Sequence, residues 1–209
     1  MSLRIRNSLE RSDWAFIREV CCLTGNAGEP IDQSRWPFFS EQWVGPYERL
    51  RPEWGFVAED SGRRMGYLTG CPDSRRFLFE KRWLFDFPLY VQTLAGGFPT
   101  NGDLTRFQTR FLKKDRGPED RFSISSTEQV LTEYPAHLHM NLDAAARGRG
   151  VGRKLVDRYR EELRAIGVHG IHLYCGPKPL PFYEKVGFQE IDRIEFRPGV
   201  WVYRLGSRF

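Results

Sequence analysis

Three glycines and three arginines fall within the stretch AAARGRGVGRKLV, Ala144 to Val156, directly before a helical pattern. Glycine lets a backbone bend sharply and approach a ligand closely. The first N–H groups of a helix have no partner inside it, and the helix dipole adds positive potential at the same end. A strand, then RGRGVG, then a helix is therefore the setting of a phosphate cradle. Arg147, Arg149 and Arg153 add permanent charge around it, with Gly148, Gly150, Val151 and Gly152 supplying backbone donors. Lys154 is a further basic candidate.

The spacing excludes two common phosphate loops. A Walker loop needs Ser or Thr after its lysine, and Lys154 is followed by Leu155. A dinucleotide fingerprint starting at Gly148 needs glycine at position 153, which is Arg153. What remains is Arg147-x-x-Gly150-x-Gly152 opening a long amphipathic helix. About thirty residues on, PFYEKVGF (Pro181 to Phe188) reads as a short helix after a strand.

These two motifs, in this order and on these elements, resemble the GNAT superfamily of acyl-CoA-dependent N-acyltransferases. Its pyrophosphate loop has the form Q/R-x-x-G-x-G/A, and its second signature has the form F-Y-x-K-x-G-F. Three further stretches, VGPYERLRPEWGFVAED, GYLTGCPDSRRF and PAHLHMNLDAAARGRGVG, are similar to the acetyltransferase-like domain at the C-terminus of animal O-GlcNAcases and to its free-standing bacterial relatives. The resemblance implies a GNAT fold of α/β (α+β) class: a mixed, mostly antiparallel sheet of six to seven strands flanked by helices. It also implies acetyl-CoA as cosubstrate and an acetyl transfer to a primary amine of a small molecule or peptide, by direct attack in a ternary complex.

Such a transfer makes three demands. The amine must lose a proton, the tetrahedral oxyanion needs a hydrogen-bond donor, and the departing thiolate gains from a proton. The resemblance places Tyr183 near the CoA sulfur for the last role; the alternative is a core aromatic that packs its helix. Phe182 beside it is counted with the cofactor-binding residues and can also serve that packing. The resemblance further assigns the backbone of Met140, Asn141 and Leu142 to the pantetheine arm and the oxyanion.

The candidate bases are His137 and His139. Two residues apart on one strand, they project from the same face, and an unperturbed imidazole titrates near pH ~6.5. The pair resembles the H-x-H of arylalkylamine N-acetyltransferases, although its spacing to the glycine loop differs by one residue. A structural pair, hydrogen-bonded within the fold, is the other reading. Asp143, Glu133 and Tyr134 stand as alternatives, while His169 and His172 read as ordinary surface or strand residues. No metal site is expected, although His137, His139 and Asp143 could approach one another. One departure from the family is plain. Many members carry an asparagine before the last helix, whereas CGPKPLPFY has three prolines and none. Lys178 could hold the CoA arm there instead.

The elements follow from periodicity. LRIRN predicts a strand. SDWAFIREVCCLTG predicts a helix with Ser12 as N-cap and Gly25 as its end. PFFSEQWVGPYERLR, broken by Gly45 and Pro46, predicts short helices. Residues 54–71 predict a hairpin turning at Ser61 and Gly62. From Ser74 to about Thr127 the pattern turns helical, over 75–94 and 104–114, and reads as an insertion into a sheet protein. Strands are expected at 135–143, 170–176, 188–197 and 200–205, with helices at 150–167 and 179–187. One GNAT domain over 1–209 with an insertion at about 74–127 accounts for the whole chain.

Bulk properties narrow the function classes. The net charge is +5, but the 32 basic residues are scattered among 27 acids. That suits a site for a small polyanion better than a nucleic-acid surface, so no nucleic-acid partner is expected. Cys21, Cys22, Cys71 and Cys175 lack metal-ligand spacing, and no signal or membrane-length apolar run is seen, so reduced cytoplasmic thiols are expected. The protein is expected to be a monomer or homodimer. A non-catalytic acetyl-CoA-binding or protein-interaction module is the alternative function.

Overall fold

The computed structural model describes residues 3–7, 9–26, 28–98, 108–109, 111–112 and 121–209. Seven strands form one sheet: β1 (Leu3–Arg6), β2 (Gly55–Asp60), β3 (Arg63–Cys71), β4 (Ala136–Leu142), β5 (Gly170–Cys175), β6 (Gln189–Arg197) and β7 (Val200–Arg208). Their order is β1-β2-β3-β4-β5-β7-β6. All neighbours are antiparallel except β4 and β5. The hairpin between β2 and β3 turns on Ser61 and Gly62, both left-handed at φ 53° and 81°, the geometry that matches strand twist.

The helices are α1 (Arg11–Thr24), α2 (Trp36–Leu50), α3 (Ser74–Glu80), α4 (Phe87–Leu94), α5 (Ile124–Glu133), α6 (Val151–Ala165) and α7 (Leu180–Lys185). The expected α6 is present because Val151, Leu155, Tyr159 and Leu163 bury one stripe against the sheet. Tyr159 fixes the middle of that sheet. Its hydroxyl donates to the carbonyls of Cys71 (3.0 Å) and His137 (2.8 Å). Gly70 makes room, since a Cβ there would lie 2.4 Å from that hydroxyl. On the other face α1 and α2 bury Trp14, Ile17, Phe39 and Val44 against Val57 and Tyr67.

Several local expectations are corrected. Helix α1 starts at Arg11, not after Ser12. Asp13 accepts from the Glu10 N–H at 2.9 Å, while the Ser12 hydroxyl accepts from Arg64 instead. Gly25 does end α1, but in a right-handed conformation at φ −67°. It is small because a Cβ would strike the Phe39 ring at 2.7 Å. Gly45 and Pro46 do not divide α2: one 15-residue helix contains both. Packing overrides propensity there, since Gly45 is the notch into which the Phe85 ring fits. Helix α5 is tied to β7 by Arg204, which bonds Ser126 and Thr127 on the helix and Asp192 on β6. The helix expected over 104–114 lies mostly outside the described residues; of it Gln108, Thr109, Phe111 and Leu112 are helical.

Asp13 carries a testable consequence. It is buried and bonded by Arg6 (2.7 and 3.1 Å) and Arg64 (2.8 Å). Burial alone would raise its pKa, but the bonds from Arg6, the Glu10 N–H and Arg64 outweigh that and hold it at about 2, from an ordinary 3.8. A lowered carboxylate pKa stabilises the fold above the unfolded value, and that stability is lost as pH falls through the folded one. Thermal melts should therefore show a loss of Tm between about pH 4 and 2, and Asp13→Asn should remove that portion of it while lowering Tm at neutral pH.

Candidate functional site

The site begins where two strands part. Strand β4 pairs with β5 only at Ala136↔Ile171 and His137↔His172. Beyond that point β5 pairs with β7 alone and runs into Gly176, Pro177 and Pro179. The prolines have no N–H to continue a ladder. Residues 138–142 of β4 thus face an opening instead of a strand.

That opening is a cleft of about 1560 Å³. Its β4 wall is Leu138, His139, Met140, Asn141 and Leu142. Asp143 N donates to Met65 O on β3 at 3.0 Å. By the alternation of a strand, the backbone groups of Leu138, Met140 and Leu142 point the other way, into the opening. The same alternation directs the Asn141 backbone toward β3, which corrects its place among the expected backbone contacts. Its side chain lines the cleft and donates to the Tyr67 hydroxyl at 2.8 Å.

The glycine loop forms the mouth. Asp143 caps the turn before it, accepting from Ala145 N at 2.8 Å. Gly148 and Gly150 are left-handed at φ 74° and 76°, and a Cβ on either would meet no atom within 4 Å. Open space above left-handed glycines at the start of a 15-residue helix is what an anion cradle requires. Gly152 is needed for packing instead, since a Cβ would lie 2.8 Å from the Phe182 ring that sits against it. Val151 is buried beneath the loop and borders the cleft.

The three arginines separate. Arg147 lines the cleft and donates to the Gly28 carbonyl at 2.8 Å, bridging the loop to the turn that follows α1. Arg153 lines it and donates to the Lys185 carbonyl at 2.7 Å. Arg149 does not line it. Its side chain turns to Asp60 on the β2–β3 hairpin, 3.1 Å away, so only its backbone belongs to the loop. Lys178 and Lys185 also border the cleft, and among its described lining residues there is no Asp or Glu. The cleft therefore favours anions.

The histidines separate too. His137 lies outside the cleft lining. Its Nε2 is 2.7 Å from the Tyr47 hydroxyl, and its Nδ1 is 2.9 Å from Ser74 Oγ and 3.1 Å from Cys71 Sγ. Both ring nitrogens are taken. Burial, then the nearby His172, His139 and Lys81 charges, hold its pKa well below the usual imidazole value. Of the two candidate bases, only His139 borders the cleft; His137 is engaged within the fold. His139 lines the cleft, its ring stacked on Trp43 and held by longer contacts, 3.5 Å to the Tyr67 hydroxyl and 3.4 Å to Asn141 Nδ2. Burial lowers its pKa to about 4, so it is neutral at pH 7. His172 is buried and donates through Nδ1 to the Tyr134 carbonyl at 2.7 Å, so it is no surface residue. Asp143, Glu133 and Tyr134 are not among the cleft's lining residues.

Tyr183 borders the cleft and packs edge-on to Phe182 and Phe188. Burial, then neighbouring Cys175, push its hydroxyl above the ordinary phenol value, so it keeps its proton. Sequence reasoning gave the packing role to Phe182, but Tyr183 is the more deeply buried of the two. Sequence reasoning missed the opposite wall. Cys21 and Thr24 of α1 and Phe39 and Trp43 of α2 also line the cleft, with Trp43 stacked on His139. Their only signal was the aromatic density of α2. Among the described residues, no group of three or more His, Cys, Asp or Glu side chains could hold a metal ion. No described helix is long and apolar enough to cross a membrane.

Comparison with known proteins agrees with this architecture. The acetyltransferase (GNAT) domain model matches residues 123–190, which span the splayed strand, the glycine loop, α6 and α7. The solved structure of SsHAT is 28% identical, superposes with a TM-score of 0.74 and covers 100% of this chain and 98% of its own. The structure of yncA from Salmonella typhimurium, which holds its cofactor acetyl-CoA, shares the fold at 15% identity and a TM-score of 0.55, over 100% of this chain and 94% of its own. Glucosamine 6-phosphate N-acetyltransferase 1 of Oryza sativa subsp. japonica is 45% identical over 49 residues. That match covers 23% of this chain and 30% of the rice enzyme, less than a third of the relative's length. The splay and the glycine loop both lie within the part of the chain that matches the GNAT acetyltransferase domain model.

Proposed function

We propose that the chain, as one domain over residues 1–209 with a helical insertion at about 74–127, is an acetyl-CoA-dependent N-acetyltransferase acting on a primary amine in the cytoplasm. The carrying observation is the conjunction of the β4–β5 splay with an open, left-handed glycine loop at its mouth. The residues fit the cosubstrate. The backbone of Gly148, Arg149, Gly150, Val151 and Gly152 would hold its diphosphate, with Arg147 and Arg153 beside it. Leu138, Met140 and Leu142 would offer backbone groups to its pantetheine arm. Bound there, acetyl-CoA supplies an activated acyl group.

The chain's own residues supply the rest. His139, unprotonated and facing Trp43, accepts the amine proton. Tyr183, protonated and buried, donates a hydrogen bond to the leaving sulfur. Cationic amines find no carboxylate among the described lining residues, so the acceptor enters as the free base against Phe39 and Trp43. The low basicity of His139 is the observation that favours the alternative, a non-catalytic acetyl-CoA-binding or interaction module.

Steady-state acetylation across a panel of alkyl, aromatic and peptide amines separates the two readings. Turnover of one amine supports catalysis; binding of acetyl-CoA with no turnover of any supports the module. With a turned-over amine, His139→Ala should lower kcat by about 10²-fold or more while leaving acetyl-CoA affinity in place. His137→Ala should instead lower Tm, because it removes the buried hydrogen bonds that the ring shares with Tyr47 and Ser74. A selective loss of kcat in His137→Ala at unchanged Tm would reverse the two assignments.

A further inference from the structure

Helix α3, a π-helical turn (Lys81–Asp86) and α4 run as one continuous helical segment over residues 74–94. One face is buried: Phe77 stacks on Tyr47, Phe85 fills the Gly45 notch and Leu89 packs with Phe38. The other face is also apolar. Phe79, Trp83, Phe87 and Val91 recur at steps of four, Leu94 continues them, and Leu78 and Leu84 flank them. These seven side chains are 49–67% exposed. In an unbroken α-helix such a row drifts by about 40° at each step of four, given 3.6 residues per turn. The wider π turn winds less per residue and brings the row back into line. The turn therefore keeps two apolar stripes straight on opposite sides of the helix.

A helix apolar on both sides is one that is covered on both. The exposed stripe amounts to roughly 700 Å² of apolar surface, from aromatic side chains of about 150–250 Å² each and aliphatic ones somewhat smaller. Monomers rarely show a continuous patch above about 300–600 Å². A standard interface takes about 800 Å² from each partner. The flanking charges do not suit an anionic lipid surface. Arg75 pairs with Glu128, Arg76 with Glu80 and Lys81 with Asp86, while Arg82 lies over the Trp83 ring.

We propose that a second copy of this chain covers the stripe, giving a two-fold homodimer centred on Phe87. A straight row of similar residues is self-complementary about a two-fold axis, so each copy supplies the surface the other needs. Phe87 sits mid-row and meets its own counterpart.

The test is sedimentation of the full chain across a hundredfold concentration range, with Trp83→Glu and Phe87→Glu alongside. The expected result is a dimer for the parent chain and a monomer of unchanged circular dichroism for both variants. Phe87→Cys should give a covalent dimer under mild oxidation, against a low background because the four native thiols are buried. If either glutamate variant misfolds, the crosslink decides alone: no covalent dimer overturns the proposal. A parent chain monomeric throughout, or a dimer that persists in both well-folded glutamate variants, also overturns it. So does a monomer that co-sediments with phosphatidylcholine–phosphatidylserine vesicles, which would make the stripe a lipid-binding face.

Discussion

Gly150→Trp will bind acetyl-CoA at least about 100-fold more weakly than the parent chain, a change of about 2.7 kcal/mol. Gly150 is the residue before α6, left-handed at φ 76°. A side chain in that conformation costs about 1–2 kcal/mol, which lowers stability without destroying the fold, because a Cβ there meets no atom within 4 Å. In the proposed binding mode the same open space admits the diphosphate to the loop's N–H groups. An indole placed in it blocks the loop while leaving the α6 core stripe untouched. Calorimetry reads the affinity and a thermal melt reads the fold. Parent-like affinity in the variant would move the phosphates elsewhere.

Tyr183→Phe will lower kcat by about 10²-fold, the usual contribution of a positioned proton donor, with little change in the KM for acetyl-CoA. The substitution removes one oxygen. The ring keeps its edge-on contacts with Phe182 and Phe188, so α7 holds its place against the sheet. What is lost is a hydroxyl that burial and Cys175 keep protonated. A group whose pKa lies above the ordinary phenol value can serve as a donor at neutral pH but not as a base. The measurement is kcat with any turned-over amine, by steady state and single turnover. An unchanged single-turnover rate would leave Tyr183 as a packing residue.

The shape of the glycine loop was legible because Gly148 and Gly150 adopt the left-handed conformation that glycine alone enters freely. Helix α6 was legible because it buries one stripe with a regular period, and β5 because it is a short apolar run that starts and stops at glycines. Less was readable where tertiary contact overrides local preference. Gly45 and Pro46 look like breakers, yet Phe85 needs the notch and α2 passes through both. Glu10 caps α1 because Asp13, three residues into the helix, is anchored by two arginines from the sheet.

The histidine pair marks the limit most clearly. A period of two puts His137 and His139 on one face, but no local pattern says where β5 leaves β4. That departure comes after His137. One histidine is therefore enclosed by Tyr47, Ser74 and Cys71, while the next borders the cleft. Trp43 and Phe39 were hidden for the same reason: α2 reaches His139 only through the fold. Arg149 shared a motif with Arg147, but the β2–β3 hairpin claims its side chain through Asp60.

The central claim is that this cleft holds acetyl-CoA through its diphosphate and pantetheine arm. Calorimetric titration of the full chain with acetyl-CoA and with desulfo-CoA tests it most directly, since both carry the diphosphate and only one carries the thioester. Micromolar binding of both is the expected result. No heat with either, from a protein whose melt shows it folded, would contradict the account.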